Sequence, residues 1–324
     1  MSRELIIVIG LALLFDFLNG VRDSSNIVAT MISSRAIRPF AALALAASAE
    51  FVGPFLFGVA VATTIGDEIA QTNVLTLEVI TSCLCAAIIW NLITWLLSIP
   101  SSSSHALIGG ILGAVLAGVG SQAIKLGGLG KVLIALFASP LIGFACGFII
   151  MRLIYFLASR ASPGINELFK RGQLFTALAM ALSHGTNDAQ KTMGIITLGL
   201  VVDGVLPQFS VPTWVIALSA GMIALGTSLG SWRLIRTLGG RFYKIRPVHS
   251  FTAQLSSAIV IFTASLLGGP VSTTQVVSSA IIGVGSSERF GKVRWSVAGD
   301  MMMAWLITIP VSALISAGVY WLLI

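Results

Sequence analysis

Ten long apolar runs, separated by short segments rich in charge, proline and glycine, divide this chain from end to end. Their limits are 4–32, 40–62, 75–98, 104–122, 132–156, 173–202, 211–232, 251–268, 271–287 and 295–323. About 20 apolar residues suffice to cross the hydrocarbon core of a bilayer as a helix. Backbone N–H and C=O groups in lipid must find partners within the chain, so a spanning segment is a helix or part of a closed barrel. These runs are too long and too continuous for barrel strands. The fold class expected is therefore an all-α integral membrane protein. Composition agrees: 56% of the 324 residues are hydrophobic and 10% charged, against about 25% charged in an ordinary soluble domain. A soluble globule, a disordered chain, a collagen and a disulfide scaffold are all excluded. Cys83, Cys85 and Cys146 lie inside apolar runs and read as buried thiols. The first 20 residues lack a clear cleavage site and read as a retained first span.

The net charge of +7 does not call for a nucleic acid, because the basic residues cluster between apolar runs. One side of the membrane receives Arg35 and Arg38; Arg152, Arg160, Lys170 and Arg171; Arg233, Arg236, Arg241, Lys244 and Arg246; and Arg289, Lys292 and Arg294. These are 14 of the 19 basic residues. The other side receives Arg3, Lys125 and Lys131 with Asp67, Glu68 and Asp203. The basic side is expected to be cytoplasmic, which puts both termini outside in a multi-pass protein of the plasma (cytoplasmic) membrane.

Five runs precede residue 160 and five follow residue 172. An odd number in each half gives the halves opposite orientations, the arrangement of an inverted-repeat transporter. The expected organisation is an N-terminal repeat over 1–160, a cytoplasmic linker over 161–172 and a C-terminal inverted repeat over 173–324. Paired motifs support the duplication. Gly20-Val21-Arg22-Asp23-Ser24-Ser25-Asn26 corresponds to Gly185-Thr186-Asn187-Asp188-Ala189-Gln190-Lys191, and Pro100-Ser101-Ser102-Ser103-Ser104-His105 to Pro270-Val271-Ser272-Thr273-Thr274-Gln275.

Each Ser/Thr cluster follows a proline and opens an apolar, glycine-containing run. Proline cannot continue a helix and Ser/Thr favour N-caps, so each cluster reads as the exposed start of a broken or re-entrant helix near the midplane. Free N–H groups and the positive end of the helix dipole bind anions there, and converging hydroxyls suit a tetrahedral oxyanion. The plainer alternative is that small polar residues only pack helices together. Asp23 and Asp188 are carboxylates in membrane segments, which is costly unless they are paired or functional. Gly20 and Gly185 are expected to let the helix break and release carbonyls. Carboxylate, amide and carbonyl oxygens together suit Na⁺, and a lone carboxylate suits a proton carrier. Asn187 and Gln190 offer such amide oxygens beside Asp188. An ion pair of Asp23 with Arg22, or of Asp188 with Lys191, is the structural alternative. Asp16, Glu50 and Asp300 are further acids within apolar runs. A phosphate that still carries a proton can donate to a carboxylate, whereas sulfate cannot, so acids near the site favour phosphate.

Gly226-Thr227-Ser228-Leu229-Gly230 matches the GxSxG hydrolase pattern. That motif needs a strand–turn–helix setting. Here it falls in an apolar run, where small residues four apart make a helix-packing face. No HExxH or CxxC metal spacing is present, and the chain is not expected to be an enzyme.

The two Asp motifs, with Phe15-Asp16-Phe17 before the first, resemble the duplicated fingerprint of the inorganic phosphate transporter (PiT) family, short bacterial type. Ser101 to Gly110, Gly269 to Thr274 and Val293-Arg294-Trp295 also resemble that family, and the resemblance spans the chain. It implies a secondary active transporter that imports inorganic phosphate by cation symport and alternating access around a midplane site. It implies that Asp23, Ser102, Ser103, Ser104, Asn187, Asp188, Ser272, Thr273 and Thr274 hold phosphate, and that Asp23, Asn26, Asp188, Lys191 and Glu50 serve cation or proton coupling. The family pattern has asparagine where this chain has Lys191, histidine where it has Gln275, and glutamate where it has Gln254. Lysine cannot ligate Na⁺. Lys191 is therefore expected to replace one bound cation and H⁺ to be the coupling ion, with Na⁺ at Asp23 and Asn26 as the alternative. No organic cofactor is expected. The expected partners are phosphate and the lipid bilayer, with a homodimer left open. The competing readings are a sulfate permease of the same superfamily, a passive anion channel, and an intramembrane hydrolase using Ser228 with His184.

Overall fold

The structure, a computed structural model, describes residues 1–160, 162, 164–240 and 245–324. Helix accounts for 83% of it, with no strand among the described residues. In chain order the helices are α1 (Arg3–Ser33), α2 (Pro39–Leu56), α3 (Ala60–Thr63), α4 (Leu77–Leu96), α5 (Ser103–Gly118), α6 (Leu126–Leu157), α7 (Ile165–Val202), α8 (Thr213–Leu229), α9 (Trp232–Gly240), α10 (Pro247–Leu266), α11 (Thr273–Glu288) and α12 (Trp295–Leu323). Of these, α1, α2, α4, α6 and α12 are long and apolar enough to cross a membrane, and α5 and α8 are shorter apolar helices. Large apolar side chains such as Ile134, Leu141, Leu153 and Leu314 cover the outer surface, as a lipid environment requires.

The starts of the helices follow from their sequence. Proline occupies the first turn of α2 and α10, where its missing N–H costs nothing. Ser2, Ser102 and Ser272 cap α1, α5 and α11 by accepting the N–H of the residue three further on. α2 ends at Leu56, and Gly58 takes φ +79°. There a left-handed residue turns the chain into the short α3 at little steric cost. α7 begins at Ile165, inside the segment expected to be a linker, and is continuous for 38 residues. At 1.5 Å per residue that is about 57 Å, longer than a bilayer is thick. The Arg171–Glu167 pair, 3.3 Å apart, lies on this polar extension.

The expected helix breaks at Gly20 and Gly185 are absent: α1 and α7 run straight through them. Both glycines instead permit close approach. A Cβ on Gly20 would lie 2.2 Å from the Ile223 carbonyl oxygen, and one on Gly185 would lie 2.5 Å from that of Glu50. Each brings a neighbouring helix, α8 or α2, against the Asp motif, which is the use membranes make of small residues. The interruptions fall at Pro100 and Pro270, between α4 and α5 and between α10 and α11. α5 then packs between α4 and α12, and α11 between α6 and α10.

Charged groups that the sequence assigns to one side meet there in pairs. Lys125 lies 3.7 Å from Asp67 and Lys131 lies 3.1 Å from Glu68. Ser2 holds the Asp203 carboxyl below the usual range, through its side chain first and then through its N–H, which donates at 3.0 Å. Among the basic-side residues, Arg246 reaches Glu288 at 2.7 Å. Arg241 and Lys244 lie outside the described residues.

Candidate anion and cation site

Asp23 on α1 and Asp188 on α7 are both buried, at 2% and 0% exposure. Ligand atoms of Asp23, Asp188 and His184 all lie within 4.8 Å of one another. Asp188 is the hub. One of its oxygens takes the Lys191 ammonium, which also donates to the Val271 carbonyl at 3.1 Å. The other faces His184 Nε2 at 3.2 Å and accepts from Thr273 Oγ1 at 3.1 Å and Asn19 Nδ2 at 3.4 Å. His184 Nδ1 lies 2.6 Å from Glu50 of α2. His184 and Lys191 sit four residues before and three after Asp188, so one helical face carries all three.

Asp23 has sparser company. Its Oδ1 accepts from Thr274 Oγ1 at 3.3 Å, and Asn26 Nδ2 donates to the same Thr274 hydroxyl at 3.0 Å. Asp23 Oδ2, Asn26 Oδ1 and Asn19 Oδ1 are buried with no hydrogen-bond partner. Buried acceptors are rarely left unpaired. A carboxylate oxygen and two amide oxygens have the hard-oxygen chemistry that Na⁺ takes. Arg22 makes no direct ion pair with Asp23. Its guanidinium, 3% exposed, turns away to Asn91 and to the carbonyl and hydroxyl of Ser101, at 3.0 and 2.9 Å. It thereby fixes the Pro100 turn, which Trp305 Nε1 also holds at the Pro100 carbonyl, 3.1 Å away.

The two Ser/Thr clusters open their helices in the same way. The Ser102 hydroxyl accepts the His105 N–H at 3.1 Å and the Ser272 hydroxyl accepts that of Gln275 at 3.4 Å. The two openings touch: Ser104 Oγ donates to the Val271 carbonyl at 2.9 Å, and His105 Nε2 lies 3.4 Å from Gln275 Nε2. Ser103, the first residue of α5, is 3% exposed. First-turn N–H groups have no intrahelical partner. Two helix starts therefore face each other beside two carboxylates, with Thr273 and Thr274 joining them.

Most of the residues singled out in the sequence are brought together, with exceptions. Asn187 points elsewhere: its amide donates to Ser265 Oγ at 2.9 Å and to the Gly269 carbonyl at 3.2 Å, and so fixes the α10–α11 turn. Gln254 lies between Thr176 and Thr30, at 2.7 and 3.3 Å. Asp16 is buried on α1, whereas Asp300 is exposed on α12. Gln190, expected to offer an oxygen to a cation, binds the start of α3 instead. It accepts the N–H groups of Val61 and Ala62 at 2.8 and 3.2 Å and donates to the Gly58 carbonyl at 2.8 Å. Asn19 joins the site without belonging to either set of expected ligands; its place four residues before Asp23 puts it on the same face. Ser228 of the hydrolase-like motif donates to the Leu225 carbonyl of its own helix at 2.7 Å. A Cβ on Gly226 would lie 2.1 Å from the Phe17 carbonyl oxygen, so that motif is a packing face.

Comparison with known proteins places this chain among transporters. A profile of the phosphate transporter family matches residues 19–316. A "Probable low-affinity inorganic phosphate transporter" of Rhizobium meliloti is 44% identical over 315 residues, covering 97% of this chain and 94% of the relative. One of Bacillus subtilis with the same description is 45% identical over 326 residues, covering 98% and 96%. A solved structure described as "The sodium-dependent phosphate transporter" superposes with a TM-score of 0.91 at 26% identity, over 99% of both chains.

Proposed function

The chain belongs to the phosphate transporter family, and on that premise we propose that it imports inorganic phosphate by H⁺ symport. The observation that carries the reading is the meeting of two serine-capped helix starts with Asp23 and Asp188, where Lys191 already neutralises Asp188. Phosphate sits between the openings of α5 and α11. It is held by first-turn N–H groups and by hydroxyls of Ser102, Ser103, Ser104, Ser272, Thr273 and Thr274, with Asp23 and Asp188 at its edge. Asn187 supports the site indirectly through the α10–α11 turn. Protonated phosphate can donate to Asp23, which sulfate cannot, and this separates the two anions.

The coupling argument rests on Lys191. A carboxylate oxygen and a backbone carbonyl would serve a bound Na⁺, and the ammonium already takes Asp188 and Val271. The fixed charge leaves Asp23, Asn26 and Glu50 to carry coupling. Na⁺ symport is the second reading. The unpartnered oxygens of Asp23, Asn26 and Asn19 favour it, as does the sodium dependence for which the similar solved transporter is named. Ten membrane segments in two inverted halves, 1–160 and 173–324, with both termini outside, complete the proposal. The gathering of 14 of the 19 basic residues on one side supports that orientation. Alternating access then moves one part of the structure against the rest.

Labelled-phosphate uptake into proteoliposomes, with pH and Na⁺ gradients imposed separately, tests the proposal. Uptake under the pH gradient alone, resistant to excess sulfate, is expected. A strict Na⁺ requirement would transfer the reading to Na⁺ symport, and sulfate uptake without phosphate uptake would overturn the substrate.

A further inference from the structure

A groove of about 440 Å³ opens on the outer face between α6, α11 and α12. Phe137 and Leu141 of α6, with Met302, Trp305 and Leu306 of α12, form its walls, and Gln275 of α11 lies in its floor. Leu141, Met302 and Leu306 are more than half exposed at its mouth. The wall chemistry is that of a hydrocarbon ligand.

The groove ends at Trp295, and that end is aromatic and basic. Phe290 stacks on Trp295 with ring centroids 5.9 Å apart, and Trp295 Nε1 donates to the Phe290 carbonyl at 3.0 Å. Phe148 lies 6.4 Å from Phe290, and the Arg152 guanidinium sits 5.5 Å above the Phe148 ring. Arg289 and Arg294 flank Phe290 and Trp295 in the chain, and all three arginines are exposed. Asp300 is two residues beyond the groove residue Ala298, about 200° around α12, and therefore faces away. An apolar slot under an aromatic ledge with three cations matches one amphiphile: an acyl chain below the interface and a negative headgroup at it. A second copy of the chain fits less well. A two-fold axis along the membrane normal would set the two arginine clusters on the same side of the bilayer, facing each other.

We propose that this groove binds an anionic phospholipid, its acyl chain along α11 and its headgroup at Arg152, Arg289 and Arg294. The floor is the helix that supplies Thr273 and Thr274 to the site, so the lipid packs directly against the phosphate-binding machinery.

Native mass spectrometry of the detergent-extracted protein, offered equal phosphatidylglycerol and phosphatidylcholine, tests the site. The wild type should retain phosphatidylglycerol preferentially. Met302→Trp fills the mouth of the groove and should lower that retention. The triple variant Arg152→Gln, Arg289→Gln, Arg294→Gln changes only exposed side chains. It should lose the preference by about fivefold for each charge removed, since each basic group near an anionic headgroup is worth about that factor. Equal retention of both lipids by the wild type, or an unchanged preference in the triple variant, would overturn the assignment. A shift from dimer to monomer in Met302→Trp would give the groove to a second copy instead.

Discussion

The two Asp motifs differ in how each carboxylate is treated. Asp188 is surrounded by Lys191, His184, Thr273 and Asn19, whereas Asp23 meets one hydroxyl, that of Thr274. The basic residue of the first copy, Arg22, precedes its Asp and turns to Asn91 and Ser101. That of the second, Lys191, follows by three and lands on the carboxylate. A cation one position away on a helix lies about 100° round the axis, while one three positions away is nearly on the same face. The placement of one basic residue thus pairs Asp188 with an ammonium and leaves Asp23 with an oxygen that has no hydrogen-bond partner.

Asp188→Asn should break the comparison most severely. It leaves the Lys191 ammonium buried without its counter-charge, and breaking such a pair costs about 3–5 kcal/mol. Loss of phosphate uptake together with a large drop in thermal stability in detergent is expected. Uptake near the wild-type rate would refute the hub role. Gln190→Ala comes next, because it uncaps two N–H groups of α3 and the Gly58 carbonyl, at about 1–3 kcal/mol per unsatisfied group. Its counterpart in the first copy, Ser25, only donates to the Arg22 carbonyl of its own helix at 2.9 Å, and Ser25→Ala should be close to neutral. Paired unfolding measurements on these two variants sharpen the asymmetry, and equal losses would erase it. Asp23→Asn should cost folding under about 1 kcal/mol, for one weak hydrogen bond, yet should abolish coupled uptake. A variant that was unstable but still accumulated phosphate would reverse the roles given to the two acids.

What is legible in the sequence depends on the scale of the signal. Long apolar runs place α1, α4, α5 and α12 within two residues at their starts, because hydropathy over 15 or more residues outweighs local detail. The prolines at 100 and 270 locate the helix interruptions. Side-chain direction is less accessible. Asn187 lies beside Asp188 in the chain but about 100° away on the helix, and so faces Ser265 rather than the site. Gly20 and Gly185 suggest breaks because glycine is a poor helix former in water; against a neighbouring helix in a membrane it is the residue that permits contact. The role of Gln190 has no local signal at all, since its partners are the backbone of a turn more than 125 residues earlier. Asn19 and His184 are within reach, because i−4 spacing from Asp23 and Asp188 already sets them on the carboxylate face.

The central claim is that the Lys191 ammonium takes the place of a bound cation on Asp188. Phosphate uptake by the wild type and by Lys191→Asn, measured side by side in proteoliposomes with Na⁺ or choline outside and a constant pH gradient, tests it most directly. The account predicts wild-type uptake that is indifferent to Na⁺ and variant uptake that requires it. Na⁺-dependent uptake by the wild type, or a variant whose uptake does not respond to Na⁺, would contradict it.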